Sequence, residues 1–220
     1  MAAIITVMAL TAAAAAAPLG CDGSSMRGPS TRAVLVALGA SGHPSAIATG
    51  FAVGPGRVVT VAHLLDAADG ASVQVRDGSR WLPARVVRRD RRTDLALLSV
   101  SGLRAGRVRL GSADGGSVRL LVMARKGALG RPDERPAKIR RAIVAKLQTP
   151  GGDASLRRPA LELAALASAG DSGAAVVAAG GEVVGVLFAR SRRRAATAYA
   201  VDARALRPLL RANGDAPIRR

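Results

Sequence analysis

Leu166-Ala167-Ser168-Ala169-Gly170-Asp171-Ser172-Gly173-Ala174-Ala175-Val176-Val177 is the stretch on which the reading of this chain turns. A serine set between glycines, preceded by an acid and followed by an apolar run, is the pattern of a nucleophile on a tight turn. Glycine permits positive φ and lets a substrate carbonyl approach main-chain N–H groups. A serine hydroxyl is a weak nucleophile by itself and needs a histidine base, oriented in turn by a carboxylate. The upstream chain must therefore supply one suitable histidine and one suitable aspartate.

Working outward, the chain alternates short apolar runs with turn residues. Ala33–Leu38 ends at Gly39 and Gly42, and Ile47–Val53 ends at Gly54-Pro55-Gly56. Arg57–Leu65 is β-branched until it meets His63, and then loses its β character. Ala71–Val75, Asp77-Gly78 and Trp81–Val87 read as strand, hairpin turn and strand, and Asp94 opens the next run, which ends at Val100. Short strands at this spacing indicate an all-β barrel or sandwich. After the glycine-rich break Gly111–Gly116, further strands are expected over Val118–Met123, Ile139–Leu147, Ala160–Leu166, Ala174–Val177, Val183–Phe188 and Ala198–Val201. Arg125–Ala137 reads as a basic loop and Thr149–Asp153 as a turn. Asp202 is placed to cap a short terminal helix over Ala203–Leu210, shortened or kinked by Pro208.

A lone histidine at a strand end is usually structural, and an aspartate before an apolar run is often only a turn residue. Their joint presence with the Gly170–Gly173 turn is what carries weight. Thr60-Val61-Ala62-His63 preceded by Gly50-Phe51, then Arg92-Thr93-Asp94-Leu95-Ala96-Leu97-Leu98, then Gly170-Asp171-Ser172-Gly173, resembles the trypsin-like (chymotrypsin-fold) serine proteases. The resemblance is nearest to the disulfide-free bacterial HtrA/Deg-type branch and related extracytoplasmic proteases, and it covers roughly residues 32–210.

The resemblance implies two six-stranded antiparallel Greek-key barrels, the first about 32–110 and the second about 116–202, with a short C-terminal helix, in a protease domain over 32–212. It implies a serine endopeptidase with Ser172 as nucleophile, His63 as base and then acid, and Asp94 as the group that holds the imidazole. The oxyanion would meet the N–H groups of Gly170 and Ser172, worth about 3–4 kcal/mol per donor in comparable enzymes. Leu166, Phe188, Ala189 and Thr197 would line the substrate pocket. That pocket has no acid, so small or medium apolar side chains are expected rather than Lys or Arg. Protein or peptide substrates are the implied partners, and no cofactor is needed. No PDZ module is expected after the protease domain. The family usually has Gly-Gly-Pro after the serine; here Gly173 is followed by Ala174-Ala175, whose first methyl is expected to crowd the second barrel. Asp171 stands where the zymogen-activated branch pairs an aspartate with a freed N-terminus, but no activation site is recognisable.

Composition sets limits. With 49% hydrophobic residues but only Phe51, Trp81, Phe188 and Tyr199 as aromatics, the core has to be packed from Val, Leu, Ile and Ala. The single Cys21 excludes an intramolecular disulfide, and His43 and His63 fit no zinc spacing, so no metal site is expected. The net charge of +18 is almost all arginine, scattered and without aromatic neighbours for base stacking. That favours a compositional bias with non-specific attraction to anionic surfaces over specific nucleic-acid binding. Residues 1–21 are apolar and uncharged up to Gly20-Cys21 and resemble a lipoprotein signal, followed by a linker over 22–31. Export is expected, either secreted or anchored to the cell membrane through lipidated Cys21. Two other readings stay open: a catalytically weak or inactive homologue that binds peptides or cell-envelope components, and a basic surface-adhesive lipoprotein.

Overall fold

The computed structural model describes residues 5–8, 31–40, 43–66, 70–123, 131–148 and 155–211. Cys21, the linker residues 22–30, the turn 149–153 and most of the leader-like segment lie outside the described residues. Among the described residues thirteen strands follow in chain order: β1 Ile5–Met8, β2 Ala33–Ala40, β3 His43–Gly54, β4 Arg57–Val61, β5 Val73–Asp77, β6 Arg80–Asp90, β7 Leu95–Val100, β8 Gly116–Val122, β9 Asp133–Gln148, β10 Ser155–Ala164, β11 Ala175–Ala178, β12 Val183–Arg190 and β13 Thr197–Asp202. Helix α1, Ala62–Asp66, follows β4, and α2, Leu206–Arg211, follows a 3-10 turn at Ala203–Ala205.

The strands close into two antiparallel barrels. The first runs β2-β3-β4-β7-β6-β5, and the second β8-β9-β10-β13-β12-β11 with closure through the β8–β9 pairing. Closure leaves no free edge within either ring. β1 adds outside the second ring, pairing Ile5–Met8 with Leu147–Val144 of β9. Among the described residues no helix is long and apolar enough to cross a membrane.

Small branched side chains fill both barrels, as an aromatic-poor composition requires. Val34, Val36, Leu38, Phe51, Val59 and Leu97 are buried in the first, and Val118, Leu120, Val122, Leu161, Leu163 and Val176 in the second. Each fully buried Leu or Val stabilises the fold by about 1.5–3 kcal/mol relative to its exposed state. Leu206 and Leu209 of α2 are buried in the same cluster as the first-barrel residues.

Three sequence expectations change in detail. β9 begins at Asp133, inside the stretch expected to be a basic loop, because Ala137 and Ile139 turn inward while Lys138 and Arg140 face solvent. Its first half pairs with β8 and its second half with β10, so one long strand serves two neighbours around the ring. The terminal helix is shorter than the expected Ala203–Leu210: α2 starts only at Leu206, after the 3-10 turn, which puts Pro208 in its first turn, where its missing N–H has no intrahelical partner to lose. Asp202 caps the preceding 3-10 turn, its side chain accepting from the Arg204 N–H at 2.8 Å.

Candidate active site

β4 runs Val58-Val59-Thr60-Val61 into the seam between the barrels, and α1 turns His63 out of it at the strand end. Asp94 reaches the same place from the short connection between β6 and β7. Its carboxylate takes two hydrogen bonds from His63, the main-chain N–H to Oδ1 at 2.9 Å and the ring Nδ1 to Oδ2 at 2.8 Å. The Asp94 carbonyl also accepts the Ala62 N–H at 2.9 Å. These bonds hold Asp94 at φ +61, a left-handed conformation that a non-glycine residue rarely adopts unsupported. The Asp94 side chain is 12% exposed and that of His63 49%, so the carboxylate is shielded while the far side of the ring stays open.

The electrostatics follow from that geometry. Partial burial works against the imidazolium, but the hydrogen bond and charge of Asp94, with help from Asp66, outweigh burial and the nearby Arg158 charge. The His63 pKa is therefore held above the ordinary histidine value of 6.5.

Ser172 comes from the second barrel, on the turn between β10 and β11, and one first-barrel residue ties that turn down. Thr49 of β3 donates its N–H to the Ser172 carbonyl at 2.9 Å and its hydroxyl to the Gly170 carbonyl at 3.0 Å. Thr60, three positions before His63, donates to the Thr49 carbonyl at 2.8 Å. The strand that leads to the histidine and the turn that carries the serine thus meet through Thr49. No hydrogen bond joins Ser172 Oγ to His63 among the described residues; such bonds commonly tighten only with substrate bound.

Gly173 must be glycine. Its φ is +89, and a Cβ there would overlap the Thr49 carbonyl oxygen and come within 2.8 Å of the Thr60 hydroxyl. Gly173→Ala should therefore destabilise the protein by about 2 kcal/mol or more in chemical denaturation, by displacing the turn from the seam. The next residue behaves otherwise: Ala174 is fully buried, and its methyl packs in the second-barrel cluster with Val176, Val184 and Leu187.

Within the turn, the N–H groups of Asp171, Gly173 and Ala174 donate to the carbonyls of Ser168, Leu187 and Asp171. Gly170 and Ser172 N–H have no main-chain acceptor among the described residues, and these are the two expected to receive an oxyanion. Asp171 is fully buried; its Oδ2 accepts from Arg135 Nη1 of β9 and from the Ser168 N–H, both at 2.6 Å. A cation internal to the chain, Arg135, thus answers the buried charge of Asp171.

A cavity of about 110 Å³ opens beside Ser172, lined by Ala167, Ser168, Ala169, Ser172, Leu187, Ala189 and Arg190. Of the four residues expected in the pocket, Ala189 lines it. Leu166 is 71% exposed, Thr197 is buried in β13, and Phe188 is buried with its ring under the Arg158 guanidinium, 5.2 Å from the centroid. Strict alternation along β12 is interrupted here by a register shift between Leu187 and Ala189, and these two line the cavity while Phe188 between them is buried. Arg158 itself, on β10, is buried and stands 3.4 Å from Asp94 Oδ2. Neither Arg135 nor Arg158 stands out in a sequence with 33 basic residues; inward parity with Ala160 along β10 is the one signal that marks Arg158. Among the described residues no cluster of His, Cys, Asp and Glu is placed to hold a metal ion.

Comparison with known proteins agrees with this architecture. The family described as a trypsin-like peptidase domain matches residues 48–186. The serine protease Rv3671c of Mycobacterium tuberculosis is 30% identical over 158 residues, which cover 70% of this chain and 39% of that protein. The chain thus spans about two fifths of the length of the curated relatives it matches. The crystal structure of the active form of the Rv3671c protease superposes with a TM-score of 0.72 at 28% identity, over 86% of this chain and 82% of that one. A serine endoprotease from Yersinia pestis gives 0.65 at 17% identity, over 84% and 63%, a likeness of fold alone.

Proposed function

This chain belongs to the trypsin-like peptidase family, and from that premise we propose that it is a serine endopeptidase working through Ser172, His63 and Asp94. The observation that carries the reading is the doubly hydrogen-bonded His63–Asp94 pair, set at the same seam as a glycine-flanked serine pinned from both barrels. His63, its Nδ1–H directed to Asp94, takes the Ser172 proton at Nε2 as the hydroxyl attacks the scissile carbonyl. The tetrahedral oxyanion is met by the N–H groups of Gly170 and Ser172. Collapse expels the amine, protonated by His63, and leaves an acyl-enzyme at Ser172 that water attacks with the same histidine as base.

The pocket supports small or medium apolar residues at the cleavage site. Its volume of about 110 Å³ is below the ~150 Å³ of a cavity that takes benzene, and its walls are largely alanine and leucine. Arg190 at its rim disfavours a basic side chain. Digestion of a mixed peptide library, read by mass spectrometry of new C-termini, is expected to give Ala, Val or Leu there. Cleavage mainly after Lys, Arg or Phe would contradict this specificity. Export with acylation of Cys21 belongs to the same proposal and rests on the sequence of residues 1–21; globomycin-sensitive processing tests it.

A further inference from the structure

The mechanism above gives Arg158 no part. Among the described residues it is the only buried cation, 3% exposed, and a buried guanidinium is costly unless its charge and donors are answered. Its answers all lie on one short stretch of the other barrel. Nη1 donates to the Thr93 carbonyl at 3.0 Å and stands 3.4 Å from Asp94 Oδ2, and Nη2 donates to the Arg91 carbonyl at 3.5 Å. The Phe188 ring seats the guanidinium from below, while Nε has no hydrogen-bond partner. A group with an unsatisfied donor is poorly optimised as a purely structural element, since apolar residues of similar volume often stabilise such a site as well or better. Its contacts instead converge on the segment that ends at Asp94 in its left-handed conformation.

We propose that Arg158 is a positioning residue for the triad, reaching from the second barrel across the seam to fix the Asp94 carboxylate so that Oδ1 takes the His63 amide and Oδ2 the imidazole. Its catalytic consequence rests on the serine-peptidase reading; its effect on the His63–Asp94 pair does not. Oδ2 is shared between the ring and the guanidinium, so Arg158 also tempers how strongly Asp94 favours the imidazolium. The charged groups facing His63 are Asp94 from the β6–β7 connection, Asp66 from α1 and Arg158 from β10, with Asp66 itself paired to Arg89 and Arg91. Arg158 alone among them opposes protonation of the ring, and so keeps more of the histidine in the neutral form that a general base requires.

The chain has only His43 and His63, so histidine ring resonances are readily assigned by NMR with His43→Ala as control. The full-length protein, Arg158→Met and Arg158→Lys are titrated this way, and kcat and KM are measured across the same pH range. In Arg158→Met the His63 midpoint is expected to move to higher pH, and kcat at neutral pH to fall about tenfold or more with KM within about twofold. Arg158→Lys, which keeps the charge but not the fork, should hold the midpoint near wild type and recover part of kcat. An unmoved His63 midpoint in folded Arg158→Met overturns the proposal, as does a kcat loss that only follows reduced thermal stability. If the Met variant does not fold, Arg158→Gln, still able to reach the Thr93 carbonyl, carries the same comparison. If the wild type cleaves no peptide, the peptidase reading falls, while the NMR titration still decides whether Arg158 governs the His63–Asp94 pair.

Discussion

Ser172→Ala will lower kcat/KM for peptide cleavage by about 10⁴-fold or more while leaving thermal unfolding within error of wild type. Both halves of that expectation follow from the turn. The Ser172 hydroxyl makes no hydrogen bond among the described residues, so its loss leaves no buried partner unsatisfied. What holds the turn is main chain: the Ser172 carbonyl on the Thr49 N–H, the Gly173 N–H on Leu187, and Asp171 on Arg135. Alanine retains every one of these. A stopped-flow or fluorogenic assay beside a melting curve separates chemistry from folding. A variant that kept even a tenth of the activity would mean that another group attacks the carbonyl.

Asp94→Asn should cost about 10⁴-fold in kcat near neutral pH, with little change in KM. Asparagine is among the few residues that adopt the left-handed backbone readily, so φ +61 survives and so does the connection. What fails is electronic. An amide nitrogen facing His63 Nδ1 selects the wrong tautomer and removes the charge that stabilises the imidazolium. The pH dependence has a definite sign. In the wild type, burial and Arg158 are outweighed by Asp94 and Asp66, which holds the His63 pKa above the ordinary histidine value of 6.5, so the acid limb of kcat/KM is expected above that value. Activity is present above that limb and lost as pH falls through it. Without the Asp94 charge, burial and Arg158 remain, and the His63 midpoint moves to lower pH. Arg158→Met moves it the opposite way, so the two variants bracket the wild type. A midpoint that rose in Asp94→Asn would contradict the charge account.

Much of the fold was legible because its strands are short, β-branched and punctuated. Arg57–Val61 ending at His63, Leu95–Val100 opening after Asp94, and Ala175–Ala178 following the serine are strands where the valine and leucine runs place them. The proposed reacting groups were legible for a related reason: His63, Asp94 and Ser172 stand in the chain in the order and local settings that carry the resemblance. The supporting groups were not. Arg135 and Arg158 look like any other arginine in a basic chain, and what distinguishes them is burial, a property of how β9 and β10 lie against the other barrel. The pocket was harder still. Leu166 was placed by counting back from the serine and Phe188 by the strand the resemblance implies, whereas side-chain direction depends on strand parity and on register shifts, one of which falls between Leu187 and Ala189 on β12. A single bulge suffices to exchange which residues face the cavity.

The most direct test of the account is to treat the folded, full-length protein with a fluorophosphonate and map the adduct by mass spectrometry. One adduct is predicted, on Ser172, absent from His63→Ala and from heat-denatured protein. An unlabelled wild type, or an adduct on any other serine, would contradict it.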